Sequence, residues 1–292
     1  MIVSLITLYN PETTVIDNVS AISEQSDKVY ICDNSPINNG KMFSNIEKTT
    51  YVFNGQNLAL SGAFNRVLKN GEYNWSNEDY IFFFDQDSYI EPGHIKGLVC
   101  EYKKLEKAGY QVGCLGPIYF NRSINQLAIP RVKKQITETS YIVKSIITSS
   151  MLVKYETLKK IDFWNEKIFL DLADWDLCWR IREKGYLCIE TRAVILNHAV
   201  GRGYKQVGFI KIAESSEIRE YYQTRNYLYL MWKKYVPIKY KIGFLKNLII
   251  RPILHYIYLD NGKIRLKYIR EAIIDYKHKY YGDYDGRSVR TK

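Results

Sequence analysis

The sequence predicts an α/β protein with a mainly parallel central sheet, helices on both of its faces and a C-terminal helical extension. Three observations lead there. Through the first half, short β-branched and aromatic runs alternate with segments of helical period. Those runs end in polar residues, as strands do where a parallel sheet meets its ligands. Beyond Glu214 the pattern becomes helical and dense in Tyr, Lys and Ile.

Ile2–Leu8 reads as the first strand, followed by a helix over Thr13–Ser23. Val29–Cys32 is a second strand followed by a loop, Tyr51–Phe53 precedes a helix over Leu58–Leu68, and Tyr80–Phe84 precedes one over Ile95–Lys107. Such alternation marks βαβ units. Asn10 is placed to cap the first helix and Pro11 to occupy its first turn. Between about Asn121 and Tyr141 the periodicity fades into a polar, basic stretch that reads as a mobile loop over the site. Order returns at Ile146–Val153, and the cluster Asp171, Asp174 and Asp176 opens a helical pattern over Leu177–Lys184 that Gly185 stops. Pro237 and Pro252 interrupt the late helices, and the domain boundary is expected near residues 205–215.

With 46% hydrophobic residues over 292 positions, the chain can bury one large core, or a core and a smaller unit. Its net charge of +11, from 42 Lys and Arg against 31 Asp and Glu, favours an anionic partner such as a phosphate-rich ligand, a nucleic acid or an acidic membrane surface. No RNA-recognition or helix-turn-helix signature accompanies the charge, so nucleic acid is not the expected partner. The five cysteines, Cys32, Cys100, Cys114, Cys178 and Cys188, never form a C-x-x-C pair. That argues against a disulfide framework or zinc knuckle and for a reducing compartment. Ile2–Ile6 follows Met1 without a basic region or a cleavage site, so it reads as a core strand and not as a signal peptide. The apolar stretch Phe244–Leu259 is broken by Lys246, Arg251 and His255 and falls short of the roughly 18 uncharged residues of a spanning helix.

Asp85-Gln86-Asp87 is the sharpest chemical feature. Two carboxylates one residue apart, fixed by the buried run Phe82–Phe84, can hold a hard divalent cation that also grips a diphosphate. A D-x-D is more often a turn of solvated acids, but its place at a strand end shifts the balance toward function. In the second cluster, like charges this close compete for protons, which suits a general base acting on a hydroxyl. The plain alternative is acids gathered at the positive end of a helix. His198, between the apolar run Ala193–Leu196 and Gly201-Arg202-Gly203, gains weight as a ligand only beside a carboxylate site. Arg219 and Arg225 suit phosphate oxygens, while the tyrosines between them fit the core face of an amphipathic helix.

Taken in order, Thr7-Leu8-Tyr9-Asn10, Asp33-Asn34-Ser35, Asn57 through Asn65, Asp85-Gln86-Asp87-Ser88, Phe169 through Arg180, His198, and Tyr221-Tyr222 with Arg225-Asn226 resemble the family 2 glycosyltransferases, which have the GT-A fold. The resemblance spans about residues 1–230, and the D-Q-D-S form and the R-E-Y-Y-x-x-R-N segment are similar to its bacterial rhamnosyltransferase-like branch. It implies a catalytic domain over about 1–210, with a nucleotide-sugar half over about 1–120 and an acceptor half over about 121–210, and a helical extension over 211–292.

The resemblance also implies roles. Thr7, Tyr9 and Asn10 would border the nucleotide, Asp33 with Asn34 would meet the pyrimidine, and Asn57 and Asn65 would frame the ribose and sugar. Asp85 and Gln86 would lie by the ribose, with Asp85, Asp87 and His198 around Mg²⁺ or Mn²⁺. Asp174 would be the catalytic base, Asp176 and Asp171 would support it or touch the acceptor, and Arg225 would approach the diphosphate. Two stretches depart from the family pattern: Leu60-Ser61-Gly62-Ala63, where more glycine is usual, and Lys160–Glu166, where a glycine pair is common.

The implied reaction is inverting transfer of L-rhamnose from dTDP-β-L-rhamnose to a lipid-linked oligosaccharide, in capsule or O-antigen synthesis at the cytoplasmic face of the membrane. UDP-galactose, UDP-glucose and UDP-galactofuranose are the alternative donors. A non-catalytic scaffold would not need Asp87 and Asp174. The C-terminal segment, about residues 236–282, mixes basic and apolar residues in a way that suits an anionic membrane surface. The alternative is a homodimer, or packing on the catalytic domain, through the same helices.

Overall fold

The computed structural model describes residues 1–71, 73–121, 126–127, 134–198, 204–207 and 210–285. The chain divides into two compact units, Met1–Asn165 with Asp174–Ala199, and Glu166–Ala173 with Val200–Lys292. The second unit takes in residues 166–173 as well as the C-terminal part of the chain.

The first unit contains β1 (Ile2–Leu8), α1 (Val15–Gln25), β2 (Lys28–Asp33), β3 (Thr49–Phe53), α2 (Ala59–Leu68), β4 (Tyr80–Asp85), α3 (His94–Lys107), β5 (Val112–Asn121), β6 (Gln126–Leu127), β7 (Lys134–Gln135), β8 (Ser140–Val143), β9 (Met151–Lys154), α4 (Tyr155–Lys160), α5 (Ala173–Glu183) and β10 (Leu187–His198). Its strands form one sheet in the order β3-β2-β1-β4-β9-β5-β10-β8-β7, with β6 paired to β5. The pairs β3/β2, β2/β1, β1/β4 and β5/β10 are parallel, and β9 runs antiparallel between β4 and β5.

The two-residue alternation of strands sorts the side chains between two covered faces. On β4, Phe82 and Phe84 join Val15, Val19 and Ile22 of α1 and Ile95 and Leu98 of α3 in one core. Phe83 points the other way, toward Phe64 of α2 at 4.8 Å and Trp164 at 5.0 Å. Burial on both sides explains why β4 reads as a continuous apolar run, and it fixes where the strand ends.

Three local readings change. Asn10 does not cap α1, which starts after Thr14; instead Asn10 takes a left-handed φ of 47° and its amide donates to Ser35 Oγ at 2.8 Å. α5 begins at Ala173, earlier than the pattern from Leu177, so Asp174 and Asp176 lie in its first turn. Within Asn121–Tyr141, read as a mobile loop, β6, β7 and the start of β8 pair with the sheet, while residues 122–125 and 128–133 lie outside the described residues. Gly201-Arg202-Gly203 lies outside them as well.

Asp162 and Phe163 both adopt φ of 57°, a left-handed backbone that favours glycine, within the stretch where the resembled family commonly has a glycine pair. The chain keeps that shape without glycine. Arg180 Nη1 donates to the carbonyls of Ile161 and Phe163 at 2.6 Å each, which holds the turn.

The second unit contains the antiparallel pair β11 (Tyr204–Val207) and β12 (Ile210–Ala213) and the helices α6 (Ile218–Met231), α7 (Ile238–Tyr258) and α8 (Gly262–Lys277). Buried Glu220 of α6 joins the three helices: its Oε1 lies 2.6 Å from His255 Nδ1, and 3.3 Å from both Arg251 Nη2 and Arg265 Nη1. Burial would raise the Glu220 carboxyl, but His255, Arg251 and Arg265 outweigh it and hold it below its usual range. No helix among the described residues is long and apolar enough to cross a membrane.

On β10, burial, assisted by nearby Cys178, pushes the Glu190 carboxyl up to about 7 from an ordinary 4.5. The folded chain then keeps a proton that the unfolded chain releases, so Glu190 lowers stability as pH rises from about 4.5 through about 7. Glu190→Gln cannot ionise, so it should raise Tm relative to the parent chain by more at pH 8 than at pH 5. Thermal unfolding at both pH values checks this, and an equal difference at the two would contradict it.

Candidate active site

The site is assembled by register. Parallel pairing sets Leu8 beside Asp33 and Thr7 beside Asp85, so the polar ends of β1, β2 and β4 share one sheet edge. Side chains then link them. Tyr9 N donates to Gln86 Oε1 at 2.8 Å, and Asn18 Nδ2 of α1 donates to the Gln86 carbonyl at 2.9 Å. A polar cleft of about 490 Å³ opens here, lined by Asn10, Glu12, Thr14, Val15, Asn18, Gln86, Asp87 and Tyr89. That is an ordinary size for a small-molecule site.

Asp33 is buried. It accepts hydrogen bonds from Ser35 N at 2.8 Å, Asn39 Nδ2 at 2.9 Å and Tyr51 Oη at 2.5 Å. Burial would lift its carboxyl, but the bonds from Ser35, Tyr51 and Asn39 outweigh it and keep the group ionised well into the acid range. Asn34 donates to the Ala59 carbonyl at 2.9 Å and accepts from Asn54 Nδ2 at 2.9 Å, tying the end of β2 to the start of α2. Asn57 Oδ1 accepts from Ala59 N at 3.0 Å, where the chain turns into that helix.

At the end of β4, half-buried Asp85 accepts from Ser149 Oγ at 2.5 Å, while Asp87 is exposed on the cleft. Ser149 escaped the sequence reading. Its only signal was a polar triplet, Thr148-Ser149-Ser150, standing directly before apolar β9. The antiparallel bridge Tyr89–Asn197 brings the end of β10, which closes at His198, beside the segment that follows the acid motif. The His198 side chain lies outside the described residues.

In the first turn of α5, Asp174 and Asp176 differ sharply. Asp176 is fully buried, paired with Arg180 Nε at 2.7 Å and bonded by Asn165 Nδ2 at 3.4 Å. Asp174 stays partly exposed, accepting the Trp175 amide at 2.8 Å. Of the two, only Asp174 keeps part of its surface exposed to solvent.

These polar strand ends over a covered, largely parallel sheet suit a nucleotide. Residues 5–162, more than half of the chain, match the signature of Glycosyl transferase family 2. The chain belongs to that family. It is a glycosyltransferase. A curated relative, the dTDP-rhamnosyl transferase RfbF of Shigella flexneri, is 27% identical over 94% of this chain and 93% of its own length. Among solved structures, GalNAc-T7 with UDP, GalNAc and Mn²⁺ aligns with a TM-score of 0.56 at 10% identity, which speaks for a shared GT-A fold. That alignment covers 95% of this chain and 56% of the GalNAc-T7 chain. The family match ends at Asp162, so the acidic cluster and the second unit lie beyond it.

Within this glycosyltransferase, Arg225, Asn65, Asp171 and Asp176, like Asp33 and Asn34, are engaged by partners inside the fold. Arg225, expected at a diphosphate, is fully buried, with its guanidinium on the carbonyls of Tyr281 and Gly282 at 2.9 and 2.7 Å and on Tyr221 Oη at 2.9 Å. It secures the C-terminal segment. Asn65, expected near the sugar, is buried and exchanges two hydrogen bonds with the Trp164 backbone, at 2.8 and 3.0 Å. Asp171 is ion-paired with Arg219 at 2.5 Å, and its carbonyl accepts from Asn226. Asp176 is the fourth, closed in by Arg180.

Three of the five cysteines, scattered in sequence, converge: Cys114, Cys178 and Cys188 are buried with sulfurs within 4.8 Å of one another. Burial pushes the Cys114 thiol of β5 and the Cys178 thiol of α5 well up, so both pack as small neutral groups.

Asp176→Ala would leave Arg180 without its buried partner and should lower stability by about 3–5 kcal/mol. A denaturant midpoint measures it. An unchanged midpoint would show that Asp176 is not the structural anchor described here.

Proposed function

We propose that the chain transfers L-rhamnose from dTDP-β-L-rhamnose to a lipid-linked oligosaccharide, with inversion at the anomeric carbon, during synthesis of a surface polysaccharide such as capsule or O-antigen at the cytoplasmic face of the membrane. One observation carries the donor assignment: the similarity to a dTDP-rhamnosyl transferase runs through both units and over nearly the whole of each chain. The D-Q-D-S ending of β4 supports it.

In this reading the ends of β1 and β2 receive the nucleotide, with Thr7, Tyr9 and Asn10 along it and the Asp33–Asn34 strand end toward the pyrimidine. Asn57, at the entry to α2, borders the ribose. Asp85, Asp87 and His198 would hold Mg²⁺ or Mn²⁺, hard cations that suit carboxylate oxygens at a rigid strand end. The ion's chemistry is to offset charge on the leaving diphosphate. Ser149 keeps Asp85 in one orientation, and exposed Asp87 faces the cleft. Asp174 removes the proton from the acceptor hydroxyl as that oxygen attacks the anomeric carbon.

Asp174→Asn should reduce turnover on the order of 10²-fold or more with little change in donor binding, because the base acts on the acceptor. A transfer assay with the lipid-linked acceptor, run beside Tm shifts with dTDP-rhamnose and the three UDP-sugars, tests the base and donor together. Chelation of divalent ions should stop transfer, and Mg²⁺ or Mn²⁺ should restore it. Stabilisation by a UDP-sugar and not by dTDP-rhamnose would overturn the donor. Normal turnover by Asp174→Asn would overturn the base.

A further inference from the structure

α7 is held by one side only. Its inner side packs Phe244 on Tyr227 of α6, ring centroids 4.8 Å apart, and sends His255 to buried Glu220. Its outer side is a row of large apolar residues, Ile238, Ile242, Leu245, Ile249, Ile253 and Ile257, spaced three or four apart and hence on one helix face. Each is more than half exposed, from 52% at Leu245 to 72% at Ile238. Isolated surface leucines need no explanation, but a contiguous apolar face over a helix of 21 residues does.

The charges on these helices are as uneven as their apolar residues. α7 has no acidic residue. The two acids of α8 are engaged: Asp275 is buried under the Tyr221 hydroxyl, and Glu271 accepts from Tyr284 Oη at 2.6 Å. Lys239 and Lys246 of α7 and Lys263, Lys267 and Arg270 of α8 are exposed. We infer that the outer face of α7 lies flat on an anionic phospholipid bilayer, with its isoleucines in the acyl boundary and the lysines on the headgroups. This rests on the proposed lipid-linked acceptor only for its biological sense; the physical argument is independent of the donor and of the reaction.

A second copy of the chain fits this face less well. A two-fold contact sets the same patch against itself, and α7 offers no acid to answer Lys239 and Lys246. An anionic bilayer supplies both an apolar layer and the opposite charge. The helix cannot cross it, consistent with a surface-lying position.

Full-length protein should float with phosphatidylcholine vesicles containing phosphatidylglycerol and not with pure phosphatidylcholine, and binding should weaken with salt. Lys239→Gln and Lys246→Gln should each weaken binding about fivefold, the factor expected for one basic residue near such a surface. The exposed triple change Ile242→Ser, Ile249→Ser, Ile253→Ser should weaken it at least tenfold without lowering Tm or the Tm shift given by dTDP. Because the vesicles contain no sugar acceptor, failure here is separate from failure of the proposed reaction. No binding to anionic vesicles, or equal binding by the triple variant, would overturn the inference. So would a triple variant that changes from dimer to monomer with its vesicle binding intact.

Discussion

The candidate site depends on one constraint, the parallel register of β1, β2 and β4. Because Thr7 pairs with Asp85 and Leu8 with Asp33, three separate loops begin at the same height on one edge of the sheet. The aromatic residues of β4 enforce that register from both faces. A one-residue slip would put Phe83 into the space of Phe82 and move Asp85 off the edge. The Tyr9–Gln86, Asn10–Ser35 and Asn34–Ala59 bonds are short-range consequences of the alignment. They give the strand ends fixed shapes before any ligand arrives, which is how a site avoids reorganising as charge moves.

The segment Arg219–Asn226 plays the corresponding part in the second unit. Arg219 binds Asp171, Glu220 gathers His255, Arg251 and Arg265, Tyr221 meets Asp275, Tyr222 meets Asp283, Arg225 takes the Tyr281 and Gly282 carbonyls, and Asn226 takes those of Phe169 and Asp171. A segment that reads as a ligand contact is the hub that joins the loop 166–173, α7, α8 and the C-terminal residues. The charged groups it buries, Glu220 and Arg225, each have partners there, the condition under which burial of charge is tolerated.

The sheet, its helices on both faces and the polar strand ends were legible in the sequence, because periods of two and of 3.6 are local and β4 is apolar throughout. The position of Asp85 and Asp87 followed from the same pattern. What stayed hidden depends on contacts far apart in the chain. Nothing near Asp176 announces that Arg180 will bury it while Asp174 stays accessible, since both acids occupy the same helical turn. Ser149 reaches Asp85 only because β9 runs back along β4. The convergence of Cys114, Cys178 and Cys188 likewise needs β5, α5 and β10 to be in place. Asp162 and Phe163 show the reverse: a backbone shape associated with glycine persists without it, held by Arg180.

The central claim is that the shared edge of β1, β2 and β4 is where the nucleotide sugar binds. A crystal structure with dTDP and Mn²⁺ tests it most directly. The account predicts thymine at the Asp33 end of β2 and diphosphate oxygens beside Asp85 and Asp87 in the cleft. Nucleotide density elsewhere, with that edge untouched, would contradict it.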